Sequence, residues 1–261
     1  MLRNFFARFW HHWKILLKDK AYRISLLIGA LVLSVSYFVT LTVSSYNDTS
    51  SYLSVGDAIL DKLPTYNLEF LFIWGISFIV LWGMLYIVFY KPEILPFTLK
   101  TLGVLFLVRS GFIVLTHVGP PAGFYYDNLV SVDYNPLNSL VFRNDLFFSG
   151  HTSLPFMLFL LLKDTKFKWF MLASSLLMGA TVLLMHVHYS IDVFAAFFIT
   201  YGIYALSNKI FNNLNIRFRR RIKRYGWNAF QKRFNKYREK RRLANESVEI
   251  EKHIAVDKKQ P

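Results

Sequence analysis

Six apolar stretches limit most strongly what this chain can fold into. They lie at Arg23–Val43, Leu68–Tyr90, Leu99–Val118, Phe147–Leu162, Phe167–His186 and Ser190–Leu206. An α-helix needs roughly 20 residues to cross a bilayer, and all six come near that length, the fourth and sixth being the shortest. Because a bilayer satisfies no backbone polar group, and no stretch alternates as a barrel strand does, helices are expected. The predicted fold is an all-α integral membrane bundle of six transmembrane helices.

The distribution of Lys and Arg predicts the orientation of this bundle. The chain has a net charge of +15, and six basic residues lie in the first 23 positions and 17 in the last 53. The segments 44–67 and 117–146 each hold one basic residue against three aspartates. Because basic residues favour the cytoplasmic side, both termini are predicted to be cytoplasmic and these two loops to lie on the other face.

Three parts of the chain are predicted to behave differently. Residues 1–22 form a basic amphipathic segment, residues 23–207 the transmembrane domain, and residues 208–261 a basic amphipathic tail that is disordered towards its end. Apolar side chains recur at three- or four-residue steps in the tail, which predicts binding to anionic inner-leaflet lipids. No nucleic-acid-binding module is recognisable, so no nucleic-acid partner is expected. The sequence leaves oligomeric state open.

Two histidines and a carboxylate carry the chemistry that the sequence predicts. His188 and Asp192 are spaced i, i+4, so they share one face of a helix. A carboxylate that holds one imidazole nitrogen leaves the other nitrogen free to act as a nucleophile. His151, at the start of the fourth helix, is then the candidate proton donor to a leaving alkoxide. By the predicted topology all three residues lie at the non-cytoplasmic face.

Ser149 and Gly150 suggest how a phosphate would be bound beside His151. Ser149 is a candidate N-cap, and its hydroxyl could also donate to a phosphate oxygen. The free N–H groups of a helix start favour an anion, and Gly150 lets the backbone come close to it. These residues form the candidate substrate-binding part of the site.

Other interpretations of these histidines remain open. His11, His12 and His253 are expected to be structural, and His117 and His186 are more often structural than functional in such positions. A zinc site made of His186, His188 and Asp192 is a rival, but it lacks a third strong ligand, and the chain has no cysteine. We therefore predict a site without metal or cofactor.

The two histidine motifs resemble those of the sphingomyelin synthase branch of the type 2 phosphatidic acid phosphatase superfamily. The segment from Asp145 to Thr152 matches its Asp-x-x-x-Ser-Gly-His-Thr signature. The segment from His188 to Val193 matches its His-Tyr-Thr-x-Asp-Val signature except that Ser190 replaces Thr. The resemblance implies that His188 forms a phospho-histidine intermediate, that Asp192 orients it, and that His151 is general acid and then base.

Departures from the wider superfamily bear on the substrate. That superfamily has an Arg six residues before its second His, where this chain has Val182. Arg109 remains as the main intramembrane cation, with Arg143 as a helper, and Lys100 lies nine residues away from Arg109. A phosphomonoester carries nearly two negative charges and would be costly to bury beside one Arg, whereas a phosphodiester carries one. We therefore expect a phosphodiester donor with Arg109 as its counter-ion; alternatively, Arg109 pairs with an acidic loop residue.

Further candidate substrate contacts come from the loop before the first motif. Arg143 and Asn144 replace the Cys and Gly of the branch, which leaves the role of Asp145 open. The tyrosines of this loop could form a cation–π site for a choline or ammonium group, and they are Tyr125, Tyr126 and Tyr134.

The function predicted from the sequence is transfer of a phosphocholine- or phosphoethanolamine-type headgroup. The donor would be a glycerophospholipid, and the acceptor the hydroxyl of a ceramide- or diacylglycerol-like lipid. If water replaces the acceptor, the same residues would make a lipid phosphatase or a phospholipase C-like hydrolase. A second alternative is a non-catalytic lipid-binding scaffold that has kept the fold.

Overall fold

The computed structural model of the protein describes residues 2–49, 51–124 and 144–211, with residues 216–218, 220 and 224. No strand occurs among these described residues, so the all-α class is confirmed. The chain divides into two compact units, Met1–Asn215 and Ile216–Pro261. The second unit contributes only short helical pieces to the description. The predicted amphipathic tail therefore lies largely outside the described residues and stays a prediction.

Seven α-helices follow one another in the described part of the first unit. They are α1 (Leu2–Leu17), α2 (Lys20–Asp48), α3 (Ile76–Tyr90), α4 (Leu95–Leu115), α5 (Gly150–Leu161), α6 (Lys168–Leu184) and α7 (Ser190–Phe211). A π-helical turn, Leu71–Gly75, runs directly into α3, and 3₁₀ turns occupy Leu60–Lys62 and Pro92–Ile94. The N-terminal segment, residues 1–22, thus contains the helix α1.

Four helical stretches in the described part of the chain are long and apolar enough to cross a membrane. They are Lys20–Asp48, Leu71–Tyr90, Pro92–Leu115 and Ser190–Phe211. The predicted fourth and fifth spans exist as the apolar helices α5 and α6, which have 12 and 17 residues. At 1.5 Å per residue α5 is about 18 Å long, less than the ~30 Å hydrocarbon core. The prediction of six full spans is therefore not confirmed.

The outer faces of the long helices expose large apolar side chains. Leu31 and Phe38 on α2, Trp82 on α3 and Phe198 on α7 are at least half exposed. Such a surface would be unfavourable in water but is well solvated by lipid tails. These helices therefore fit a multi-pass membrane protein.

Glycines allow α2 and α4 to pack closely along their length. A Cβ on Gly103 would lie 2.8 Å from Val32 Cγ1, so only glycine fits at this crossing. Further along, Thr40 Oγ1 and Ser110 Oγ lie 2.8 Å apart in a buried hydrogen bond. This contact holds α4 in place where it approaches the predicted site.

A second close pair is formed by α5 and α6. Ser175 Oγ on α6 donates to Thr152 O on α5 at 2.7 Å, and Gly179 on α6 lets Val193 of α7 approach. Buried Met157, Leu158 and Met171 fill the space between these helices and α3. The starts of α5 and α7 are thereby brought to the same end of the bundle.

Candidate active site

The two histidine motifs meet through a backbone hydrogen bond. Ser149 N donates to Asp192 O at 3.2 Å, so the residue before α5 lies against the first turn of α7. Ser149 is also the N-cap of α5, as predicted, with its Oγ 3.4 Å from Thr152 N. Because of this cap, α5 begins at Gly150 and not at Phe147, where the apolar stretch begins.

His188 lies in a bend two residues before α7 and not on the helix, where the i, i+4 spacing had predicted it, yet it still lies beside Asp192 of the first turn. His188 Nδ1 is 3.5 Å from Asp192 Oδ2, and both residues are buried, with 4% and 2% exposure. The same Asp192 oxygen accepts a hydrogen bond from Tyr189 N at 2.9 Å. Asp192 therefore occupies the third helical position and caps its own helix, as the acid of a capping box does. His188 Nδ1 has no hydrogen bond among the described residues, and such contacts in free enzymes are often longer than in complexes.

His151 is held by Phe72 from the π-helical turn that precedes α3. The Phe72 ring stacks on the imidazole with centroids 3.9 Å apart, and Phe72 O lies 3.2 Å from His151 Nε2. Turns of this kind are frequent at functional sites because they offer carbonyls and side chains outside the regular helical pattern. His151 also lies within electrostatic range of His188 and Arg109. Sequence reasoning missed Phe72, since no local pattern in Leu71–Gly75 marks it.

Arg109 is paired with an acidic residue of the loop before α5. Its Nη1 lies 2.8 Å from both carboxylate oxygens of Asp145, and its Nη2 donates to Asp145 O at 3.2 Å. Its Nε donates to Phe148 O at 2.9 Å. Arg109 thus pairs with an acidic loop residue, which was the alternative to its role as a counter-ion of the substrate. Asp145 is that residue. A Cβ on Gly150 would lie 3.4 Å from Arg109 Nε, so Gly150 gives room to the guanidinium.

Lys100 lies on a different part of α4 from Arg109 and has other partners. Its Nζ donates to Ser25 Oγ at 2.7 Å and lies over the Phe211 ring, 5.2 Å from its centroid. Its side chain is buried near the other end of the bundle, and these contacts do not involve the site residues. Lys100 is therefore placed apart from the histidines.

Asp57 lies at the same end of the bundle as the two histidine motifs. Sequence reasoning did not identify it as a candidate site residue. Its Oδ2 accepts Ser190 N at 2.6 Å and its Oδ1 accepts Ser190 Oγ at 2.9 Å. Burial raises the pKa of Asp57, but the hydrogen bonds from Leu60, Ser190 and Ile59 outweigh this effect and bring the pKa below its ordinary value. Asp57 stands 133 residues before Ser190, so no spacing in the sequence links them.

His186 and His117 lie near the site without joining its central group. The ring nitrogens of His186 face Ala122 O at 2.9 Å and Leu63 O at 3.1 Å, which ties two loops together. His117 is exposed and packs on Tyr52, with ring centroids 5.1 Å apart. Among the described residues no group of three His, Cys, Asp or Glu side chains could hold a metal ion. With both nitrogens of His186 engaged, the zinc alternative has no support in this geometry.

A cavity of about 300 Å³ lies beside the start of α7. Most of its wall is apolar, and the polar side chains of Asp57, Thr116, Ser190 and Asp192 contribute to it. Its volume is at the lower end of the range for small-ligand sites. The cavity therefore offers space beside the first turn of α7.

Three predicted substrate contacts lie outside the described residues. They are Arg143, Tyr125 and Tyr126, and the neighbouring Tyr134 lies there too. Their roles stay predictions.

Comparison with protein families gives a match over the segment that carries both histidine motifs. Residues 144–209 match the family model described as PAP2 superfamily C-terminal. The matched segment contains both histidine motifs, from Ser149 to Asp192, and supports membership of the PAP2 superfamily. Members of this superfamily are generally phosphatases or phosphotransferases, which is consistent with an enzyme. No curated protein matches the chain.

Proposed function

We propose that this protein is a membrane phospholipid headgroup transferase of the sphingomyelin synthase type. It moves a phosphocholine- or phosphoethanolamine-type group from a glycerophospholipid to the hydroxyl of a ceramide- or diacylglycerol-like lipid. In this proposal the reaction takes place at the non-cytoplasmic face, with both chain termini in the cytoplasm. The reaction uses His188, Asp192 and His151 and needs no cofactor.

The observation that carries the proposal is the contact between the two helix starts. Ser149 N bonds to Asp192 O at 3.2 Å, so the start of α5, which carries the half-buried His151, lies beside the buried His188–Asp192 pair. One imidazole lies beside a carboxylate and the other beside a neutral carbonyl. This is the division expected of a nucleophile and a proton carrier.

The first half of the reaction forms a phospho-histidine. His188 Nε2 attacks phosphorus while Asp192 stabilises the positive charge that develops on the imidazole. The bond between phosphorus and the diacylglycerol oxygen breaks, and His151 gives its proton to that oxygen. The free N–H groups at the start of α5 stabilise the negative charge on the phosphoryl oxygens.

The second half reverses these steps with a different alcohol. The acceptor hydroxyl gives its proton to His151, and its oxygen attacks phosphorus. The P–N bond then breaks and His188 returns to its starting state. The cavity beside Asp192 supplies space for the polar part of an incoming acceptor.

Charge balance at the site supports a phosphodiester donor. Asp145 already neutralises Arg109, and Asp192 adds a negative charge 3.5 Å from His188 Nδ1. Little net positive charge therefore remains among the described groups to offset a dianionic phosphomonoester in a buried site. A phosphodiester carries a single negative charge and requires less compensation.

The proposal is tested by incubating the purified protein in detergent with labelled phosphatidylcholine, phosphatidylethanolamine and ceramide. Transfer predicts a labelled phospholipid-like product and an acid-labile label on the wild-type protein. Both are expected to be lost in His188→Ala and to persist when a chelator is added. His117→Ala removes an exposed histidine near the site and serves as the matched control, with turnover close to that of the wild type.

Other outcomes identify the alternatives. Release of phosphocholine or phosphate without a lipid product would indicate a hydrolase using the same residues. Phosphatase activity on phosphatidic acid that far exceeds headgroup transfer would contradict the phosphodiester proposal. No turnover of any of these lipids, together with no labelled protein, would favour a non-catalytic lipid-binding scaffold.

A further inference from the structure

Asp192 accepts the N–H of Tyr189, but the N-cap residue of α7 offers no side-chain acceptor to the next N–H, that of Ser190. The first N–H groups of a helix have no partner within that helix, and Ser, Thr, Asp or Asn at the N-cap usually supplies one. In α7 this position is Tyr189, whose hydroxyl reaches away from the helix. It donates to Gly119 O at 2.9 Å and accepts a hydrogen bond from Val55 N at 3.1 Å. The cap for Ser190 N must therefore come from another segment.

Asp57 supplies that cap from the loop between α2 and α3. Its carboxylate accepts both Ser190 N and Ser190 Oγ, at 2.6 and 2.9 Å. The same carboxylate accepts Ile59 N and Leu60 N, each at 3.0 Å, so its orientation is fixed from its own loop as well. Asp57 is 8% exposed, which limits competition from water for these contacts.

The capped residue lies between the two members of the proposed catalytic pair. Asp192 Oδ2 serves both Tyr189 N, at 2.9 Å, and His188 Nδ1, at 3.5 Å. Both contacts require the first turn of α7 to be closed. If that turn opened, Asp192 would lose its backbone donor and its position relative to the imidazole.

We infer that Asp57 is a positioning residue of the reaction centre, which holds His188 and Asp192 in register by capping α7 through Ser190. This inference rests on the proposed function for its effect on turnover. Asp57 does not form part of the His188, Asp192 and His151 group itself. Its replacement should therefore lower the rate of the chemical step and leave donor binding nearly intact.

The test compares Asp57→Asn with Asp19→Asn in the full-length protein. Asp19 is a matched control because it caps α2, with its side chain accepting Ala21 N at 2.9 Å, and is also buried. It lies at the start of α2, whereas the site residues lie near the end of that helix. In both variants an amide NH2 replaces one acceptor oxygen of a capping carboxylate and the charge is lost, but only Asp57 caps α7.

We expect Asp57→Asn to lower kcat about 10- to 100-fold, the size of effect that a small misplacement of a catalytic group produces. KM for the donor lipid should stay near the wild-type value, and Asp19→Asn should keep kcat near that value. Ser190→Ala removes one of the two Ser190 contacts with Asp57, so a smaller loss of kcat is expected. Ser190→Thr keeps the hydroxyl and should keep kcat near the wild-type value. If Asp57→Asn fails to fold, the Ser190 pair still decides the question. Unchanged kcat in Asp57→Asn, or a loss shared equally with Asp19→Asn, would overturn the inference.

Hydrogen exchange separates a failure of this inference from a failure of the proposed function. Amides 190–192 should exchange faster in Asp57→Asn and not in Asp19→Asn, whether or not the wild type turns over any lipid. If the wild type proves inactive, the proposed function fails and this comparison still tests the cap. Equal exchange at these amides in both variants would overturn the positioning role.

Discussion

The two helix starts that carry the histidines are held in different ways. At the start of α5 the cap is the neutral hydroxyl of Ser149, and His151 is fixed by the ring and carbonyl of Phe72. At the start of α7 the contacts are charged, with Asp192 beside His188 and Asp57 on Ser190. The two imidazoles thus lie at the same end of the bundle but have partners of different charge.

This difference bears on the roles of the two histidines. A carboxylate stabilises the positive charge that an attacking imidazole acquires, which suits His188 for the nucleophilic step. A neutral carbonyl orients His151 without holding a positive charge in place, which suits a residue that must pass its proton on. The comparison therefore predicts that substitutions at the start of α5 and at the start of α7 will affect turnover in different ways.

The largest expected effect is the loss of headgroup release when either histidine is replaced. The roles of the two histidines should be distinguished by donors whose leaving groups differ in basicity. His188→Ala should lower headgroup release about 10⁴-fold or more for every donor, because the nucleophile is gone. His151→Ala should lower it about 10²- to 10⁴-fold with a phospholipid donor. With a p-nitrophenyl phosphodiester the loss in His151→Ala should largely disappear, since that leaving group needs no proton. Rates of release with both donors check this, and equal losses for His151→Ala with the two donors would contradict the assigned roles.

The next effect concerns the ion pair that supports the α5 side. Asp145→Asn leaves the buried Arg109 charge without its partner and Arg109→Gln leaves the half-buried Asp145 without its partner, and each should lower the free energy of unfolding by up to about 3–5 kcal/mol. The double variant should lose clearly less than the sum, because neither charge remains. Thermal unfolding in detergent of the four proteins measures this coupling. Additive losses would show that the two side chains stabilise the fold separately.

A smaller difference in kcat is expected between variants of the residues that contact the two imidazoles, Asp192 and Phe72. Asp192→Asn should lower kcat about 10²-fold or more, because the amide cannot stabilise a charged imidazole as a carboxylate does. Phe72→Leu removes the stacked ring but keeps the carbonyl, and a stacking contribution of about 0.5–1.5 kcal/mol corresponds to a loss of about 10-fold or less. Steady-state kinetics on both variants checks the order, and a larger loss in Phe72→Leu would reverse it.

The part of this site that sequence reasoning predicted is the part encoded locally. Ser149 as an N-cap and the proximity of His188 and Asp192 were both predicted from spacings of four residues or fewer, and the described contacts agree, although His188 precedes α7 and does not share a helical face with Asp192. The all-α class followed from the apolar stretches, which are long enough to dominate any local preference. Boundaries were less certain because the apolar stretch at Phe147 continues past the polar cap that starts α5.

The contacts that were missed join distant segments. Asp57 meets Ser190 across 133 residues, and Phe72 meets His151 across 79. Neither partner has a pattern of its own, since a carboxylate in a polar loop and an aromatic in an apolar stretch are both common. Arg109 was identified as a candidate site residue, but its pairing with Asp145 depends on how the loop before α5 folds back onto α4.

The smallest expected effect is the pH dependence of the stabilisation that Asp57 provides at the start of α7. Because the pKa of Asp57 is lowered in the folded protein, its contribution to stability is present above the ordinary carboxyl pKa of about 3.9 and is lost as the pH falls through the lowered value. Asp57→Asn should lower the free energy of unfolding by about 1 kcal/mol near neutral pH, because the amide NH2 cannot accept the hydrogen bonds of the carboxylate oxygen that it replaces. The difference between wild type and variant should be constant from pH 6 to 8 and shrink below about pH 4, whereas other carboxylates titrate in both proteins and cancel. Unfolding midpoints of the two proteins across this range measure the difference. A difference that widened in acid would mean that Asp57 contributes most when protonated, and the α7 cap would then be no more dependent on charge than the Ser149 hydroxyl on α5.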